Sequence, residues 1–181
     1  MTLPIAVLYE DSRGKVHKQF PLHKLLENTA RDFAGLEQDY SPLADDIPKN
    51  GDSKLLHACK LEVPLMKHRH KMAIFDADKL HRLLGEPGNV PRAQLLETLQ
   101  RQVLEAHNLE NFQLRIFLLE DNVESLIAAA ARRMKMDVPP KDIIERYRIL
   151  RKAAWDRETR DMLARDVPSF GVIAKHLASL I

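Results

Sequence analysis

Leu3 to Tyr9 is apolar at nearly every position, the pattern of a strand covered on both faces, as in a parallel sheet flanked by helices. The run ends at Glu10, and the polar stretch Asp11-Ser12-Arg13-Gly14 follows. Leu22, Leu25, Leu26, Ala30 and Phe33 then recur at helical spacing, which completes a β-to-α step. Residues 35 to 52 hold Gly35, Pro42, Pro48, Gly51 and several acids, so they read as a long loop with room for a short strand that the pattern does not locate. Ser53 is placed to cap a helix carrying Leu55, Leu56 and Cys59, which Pro64 should end or bend.

Lys71 to Phe75 is a second inner-strand pattern, approached through Lys67-His68-Arg69-His70 and left through Asp76-Ala77-Asp78. Leu80, Leu83 and Leu84 continue helically to Gly85, and Pro87, Gly88 and Pro91 mark a loop. A long helix follows, with Leu95, Leu96, Leu99, Val103 and Ala106 as its apolar stripe. Phe112 to Leu119 is the third strand candidate and is closed by Glu120-Asp121. Val123, Leu126, Ile127, Ala130, Ala131 and Met134 repeat as one helix face, with Asp121 as cap and Glu124 at its third position. Beyond the break at Pro139-Pro140 two helices fit, one bearing Ile143, Ile144, Tyr147, Leu150 and Ala154, the other opening after Pro168-Ser169. Alternating strands and helices predict an α/β fold with a mainly parallel sheet and extra C-terminal helices. A single domain over 1–181 is expected, with an α/β core in 1–120 and a helical part in 121–181.

Composition narrows the class. With 181 residues, 45% hydrophobic and 30% charged, the chain can bury a full core. One cysteine, Cys59, excludes an internal disulfide and a multi-cysteine zinc site, and its place beside Leu55 and Leu56 makes it a core residue. No apolar run approaches the ~20 residues that cross a bilayer. Met1-Thr2-Leu3-Pro4 does not read as a secretory signal, so a cytoplasmic protein without a membrane partner is expected. A net charge of +2 argues against a strongly basic nucleic-acid coat protein. The charge is unevenly spread, with 12 basic and 7 acidic residues from Ala131 to Ile181 against 16 and 19 before them.

Ligand sites of open parallel sheets form outside the carboxyl ends of the strands. Glu10 closes the first strand candidate, Asp76 and Asp78 the second, and Glu120 and Asp121 the third. If the chain stays extended past Asp76, Asp76 and Asp78 project to one side and can reach one cation. Magnesium suits such a set, since it prefers oxygen ligands and is held by one or two carboxylates plus waters and substrate phosphates. Acids after strands also cap the helices that follow, and the spacing alone leaves both uses open. His68 and His70 lack a third ligand at metal-site spacing and read as a solvated basic approach to the strand. Trp155 could stack on a base or pack between the last helices.

Ile-Ala-Val-Leu-Tyr-Glu at 5 to 10, followed by Met-Ala-Ile-Phe-Asp-Ala-Asp at 72 to 78, resembles the Toprim catalytic domain of topoisomerases, primases and overcoming-lysogenization-defect (OLD) nucleases. That family ends its first strand in a glutamate and a later one in Asp-x-Asp. The segment Asn122-Val-Glu-Ser-Leu-Ile-Ala-Ala, and Arg165-Asp-Val-Pro-Ser-Phe170, are similar to small stand-alone Toprim-like proteins of bacterial defence and mobile-element neighbourhoods. The resemblance implies Glu10 as general acid/base or second metal ligand, Asp76 and Asp78 as Mg²⁺ ligands with Mn²⁺ as a substitute, and Glu124 as an accessory acid. It implies metal-assisted cleavage of DNA or RNA, with Lys54, Lys79, Arg82, Arg132 and Arg133 as candidate phosphate contacts. No tyrosine has a context suited to covalent strand passage, so a nuclease is preferred over a topoisomerase. Two alternatives are a non-catalytic interaction subunit, for instance of an ATPase, and a haloacid-dehalogenase-type phosphatase with Asp76 as nucleophile.

Overall fold

Four strands, β1 (Ile5–Tyr9), β2 (Asp45–Pro48), β3 (His70–Asp76) and β4 (Leu114–Leu119), pair in the order β2-β1-β3-β4, every neighbouring pair parallel. The computed structural model describes residues 2–11, 20–105, 114–120, 122–139 and 142–181. The α/β class with a parallel sheet is the one the strand and helix patterns predict. The expectations that fall on Ser12 to Gly14, Ala106, Phe112, Asp121 and Pro140 lie outside the described residues.

The chain divides into two units, Met1–Ser12 with Ala44–Leu119, and Arg13–Leu43 with Glu120–Ile181. The first holds the sheet with helices α2 (Asp52–Leu61), α3 (Leu80–Leu84) and α4 (Arg92–Glu105). Its register aligns Leu8 with Ala73 and Ala73 with Ile116, a row on one face of the sheet. That row packs with Leu55, Ala58 and Cys59 of α2, Leu80 of α3, and Leu95, Leu99 and Val103 of α4. Cys59 is a core residue as expected, and burial pushes its thiol up to about 12, far from a reactive thiolate. Pro64 ends α2 in a 3₁₀ turn, Val63–Leu65. Ser53 is not the cap of α2. That position is Gly51, and the Asp52 carboxylate accepts a hydrogen bond from the Ser53 amide (2.7 Å) inside the first turn.

The second unit is helical: α1 (Pro21–Ala34), α5 (Val123–Met134), α6 (Ile143–Trp155), α7 (Arg157–Asp166) and α8 (Pro168–Ala178). Within this unit α1 packs on α6 and α8. Every residue from Pro21 to Arg31 is buried, polar ones included. Several of their polar groups are met within the unit: Glu27 accepts from the Leu43 amide (2.6 Å) and pairs with His23 and Lys24, while Arg31 donates to the carbonyls of Glu37 and Ser41; Asn28 Oδ1 and Arg31 Nε have no hydrogen-bond partner among the described residues. A strap of residues 37–43 is thereby tied along α1.

Three expectations here need correction. Helix α5 is capped by Asn122, whose side chain accepts from the Ser125 amide (3.1 Å), so Glu124 is its second residue and Ser125 its third. In α6 the buried face is Tyr147, Ile149, Leu150, Ala153 and Ala154; Ile143 and Ile144 are exposed because the covering stops short of the first turn. Helix α7 is absent from the apolar pattern, because one of its main anchors is a charge. Arg160 is fully buried, with Nε donating to Asp32 Oδ2 (2.6 Å), Nη2 to Asp32 Oδ1 (3.1 Å) and Nη1 to the Ala154 carbonyl (3.0 Å). A stability contrast follows. Asp32→Ala strands a buried guanidinium and should lower the unfolding free energy by about 3–5 kcal/mol. Glu158→Ala, which opens the exposed pair with Arg133, should cost less than about 1 kcal/mol. Urea denaturation of the two variants measures the difference, and equal losses would refute the role given to Arg160.

Candidate functional site

From β1 the chain steps outward to β2 and then returns past β1 to β3, so the order of the sheet reverses between β1 and β3. The carboxyl ends of two strands flanking such a reversal diverge into different connections and leave a crevice. Glu10 follows β1 and Asp76 is the last residue of β3. The segment after β2 extends the ladder beyond the strands: the amides of Lys49, Asn50 and Gly51 donate to the carbonyls of Tyr9 (2.9 Å), Asp11 (3.3 Å) and Glu10 (2.6 Å). This needs positive φ at two successive residues, Asn50 (60°) and Gly51 (129°); asparagine tolerates the first, and only glycine suits the second. Helix α2 then starts at Asp52. Four acids from three chain segments are thus delivered to one end of the sheet.

Glu10 and Asp76 are each 7% exposed. Glu10 Oε2 accepts a hydrogen bond from the Asp76 amide at 2.9 Å, which joins the ends of the two strands through a side chain. Burial raises the pKa of Glu10; the Asp76 amide opposes the rise, Asp52 and Asp11 add to it, and Lys79 opposes it. Asp76 is pushed up to about 8, by burial first and then by the charges of Asp11, Glu10 and Asp78, with Lys79 offsetting part. Lys79 Nζ lies 4.0 Å from Glu10 Oε1 and is half exposed. Lys79 lowers the proton affinity of both carboxylates, against the rise caused by burial and by the neighbouring acids.

The structure brings Glu10 and Asp76 together and places Asp78 differently from the extended geometry expected of it. The strand stops at Asp76, Ala77–Lys79 is a 3₁₀ turn, and Asp78 is exposed, acting on Asp76 through its charge. Among the described residues no group of three or more His, Cys, Asp or Glu side chains is arranged to hold a metal ion. Lys54 and Arg82 are exposed on α2 and α3. Glu124 belongs to the helical unit, where it pairs with Arg146, and Arg132 and Arg133 are exposed at the end of α5, with Arg133 paired to Glu158. His68 is largely buried and its Nε2 lies 2.8 Å from Asp45 Oδ2, so it is held at the start of β2 instead of forming a solvated pair with His70. Sequence reasoning missed Asp52 because it could not locate β2, whose end carries Asp52 to the rim. Among the described residues no helix is long and apolar enough to cross a membrane.

No protein-family model matches the chain, and no curated protein matches it. Among solved structures it is similar to the C-terminal region of the Xanthomonas campestris pv. campestris OLD protein, at 13% identity over 99% of this chain and 86% of that one, with a TM-score of 0.34. A likeness of that size carries no argument, and the geometry of the rim stands by itself.

The raised pKa of Asp76 makes stability depend on pH in a definite direction. Its folded value of about 8 exceeds the unfolded value, so the folded form holds the extra proton between roughly pH 4 and pH 8. The stabilisation is complete below about pH 4 and is lost as pH rises toward 8, by at most about 1.4 kcal/mol per pH unit for one proton. In EDTA, Asp76→Asn should remove this fall, so that the variant is more stable than the wild type at pH 8 and the two converge at low pH. Denaturant titrations across that range check it, and parallel curves at every pH would show that Asp76 does not titrate as described.

Proposed function

We propose that the chain is a magnesium-dependent hydrolase of phosphodiester bonds in nucleic acid, acting at the carboxyl rim of the sheet with Glu10 and Asp76 as its paired acids. The observation that carries the reading is the hydrogen bond from the Asp76 amide to the Glu10 carboxylate across the β1–β3 reversal, which brings two buried acids, with Asp11, Asp52 and Asp78 acting on them by charge, to one rim. The donor set is oxygen only and supplies two close carboxylates without a third protein ligand in place. That fits Mg²⁺, which keeps several waters and takes substrate phosphate oxygens, better than an ion that demands an all-protein cage. Glu10 and Asp76 would hold the ion and Asp78 stands nearest in sequence to join them; Mn²⁺ would serve in its place. When bound, the ion would polarise phosphate oxygens and lower the pKa of a water.

The residues themselves do the rest. Glu10, with its proton affinity raised by burial, is suited to moving a proton near neutral pH. Lys79 supplies positive charge beside it, and Lys54 and Arg82 are among the exposed cations of the same unit, suited to receive a phosphate backbone. The order of Glu10 and then Asp76-Ala77-Asp78 on successive inner strands also resembles the Toprim arrangement, which supports a nuclease, a setting in bacterial defence and an ATPase partner as parts of the same reading. The absence of a three-ligand group among the described residues favours, in turn, a non-catalytic interaction subunit.

A divalent-ion panel decides between them. The wild type should cleave DNA or RNA with Mg²⁺ or Mn²⁺ and not in EDTA. Asp76→Asn should abolish cleavage, and Glu10→Gln should reduce it by about 10²–10⁴-fold, the range of a lost acid/base group. Thermal melts should show both variants folded. Cleavage that persists in Asp76→Asn, or no cleavage with any divalent ion, overturns the proposal.

A further inference from the structure

The outward face of α6 carries a different chemistry. Arg148, Arg151, Lys152 and Trp155 recur at i, i+3, i+4 and i+7, a single stripe about 10 Å long. With Asp156 they line a shallow, open groove of about 630 Å³. Tyr40, from the strap along α1, reaches the same place: its ring centroid is 4.5 Å from that of Trp155 with the planes tilted by 37°. Lys24 Nζ lies 5.6 Å from the Trp155 ring centre and donates to the Asp39 carbonyl (2.6 Å), which fixes the strap beside the helix.

Two large rings in contact would normally be buried together, since each full burial is worth roughly 1.5–3 kcal/mol. Here Trp155 is 39% exposed and Tyr40 is 81% exposed. The charges around them are not those of a balanced solvated helix, which mixes both signs. α6 has four cations and one acid, Glu145, which takes Arg148 in an exposed pair at 3.3 Å. Arg151 and Lys152 are exposed and have no acid partner among the described residues. The remaining acid of the groove, Asp156, is engaged by the Thr159 hydroxyl.

We propose that this groove binds single-stranded nucleic acid, with a base stacked on the open face of Tyr40 beside Trp155 and phosphates held by Arg148, Arg151 and Lys152. Exposed aromatic rings next to a row of cations are what an unpaired strand requires, because it offers base faces and phosphates together. A duplex hides its base faces, and an acidic peptide answers only the cations. The sugar is not read by this arrangement, so DNA and RNA are both ligands. The inference extends the nuclease reading but stands on other residues, in the helical unit, and does not need the acidic rim.

Trp155 is the sole tryptophan of the chain, so its fluorescence reports on the groove directly. Titration in EDTA with single strands of about 12 nucleotides, within the range of known strand-binding sites, should give saturable quenching with DNA and with RNA. Tyr40→Ala, a change at an exposed ring, should weaken binding at least about fivefold. Arg151→Ala combined with Lys152→Ala should reduce the slope of log affinity against log salt by about 1.4, near 0.7 for each cation lost. Asp76→Asn should bind as the wild type does. Absence of quenching, equal affinity for a duplex or for polyglutamate, or unchanged binding by Tyr40→Ala overturns the groove. Binding without cleavage in any metal leaves the groove standing and ends the hydrolase reading, whereas cleavage without quenching does the reverse.

Discussion

The hydrogen bond from the Asp76 amide to Glu10 at the β1–β3 reversal is the constraint on which the proposed chemistry depends. A parallel sheet brings all its carboxyl ends to one side, and a reversal of strand order keeps the two central connections from covering each other. Two carboxylates in such a place cannot both stay charged without help. Either a proton stays on Asp76, as its pKa of about 8 implies at neutral pH, or a cation stands in for it. A fold that needed only stability would put leucines there. The acidic pair is therefore a feature the sheet carries at a cost in stability, which the proposed cation would offset.

The helical unit shows that the chain can pair its buried charges when structure requires it. Arg160 is answered twice by Asp32 and once by a carbonyl, and Glu27 is met by an amide, a histidine and a lysine. At the rim Lys79 stands 4.0 Å from Glu10, yet burial and the neighbouring acids still leave the pKa of both Glu10 and Asp76 raised. The contrast within one chain separates two uses of charge. In the helical unit it fixes which helices pack and how the strap of residues 37–43 lies on α1; at the rim it holds two buried carboxylates above their ordinary pKa.

Much of this was legible from residue order. The apolar runs of β1 and β3 and the stripes of α1, α4 and α5 are patterns that burial on one or two faces writes directly into sequence, and Glu10 and Asp76 were found because they close such runs. What stayed hidden had a common cause: elements anchored by something other than apolar periodicity. β2 is the four residues Asp45–Pro48, held at the sheet edge by its ladder to β1, with acids and a proline where a pattern would need valines. α7 is fixed by the buried Arg160 and Thr159 as well as by Leu163. Asp78 was misplaced because nothing in Asp-Ala-Asp distinguishes a continuing strand from a 3₁₀ turn, and side-chain direction depends entirely on which follows.

Charge distribution teaches the same lesson at larger scale. Divided by position, the chain looks polarised, with 12 basic and 7 acidic residues after Ala131. Divided by its two units, the contrast shrinks to 17 basic and 14 acidic in the helical unit against 11 and 12 in the sheet unit. Net charge therefore could not direct the proposed polyanion to this protein, since totals of that size are screened within about 10 Å at ordinary ionic strength. Local arrangement must do it. Four of the cations sit on the thirteen residues of α6 with one acid among them, and three of the four share a stripe with Trp155. Over a contact of that length the charges act within a screening length of one another, so a strand lying along α6 meets a strongly basic surface although the protein as a whole is nearly neutral.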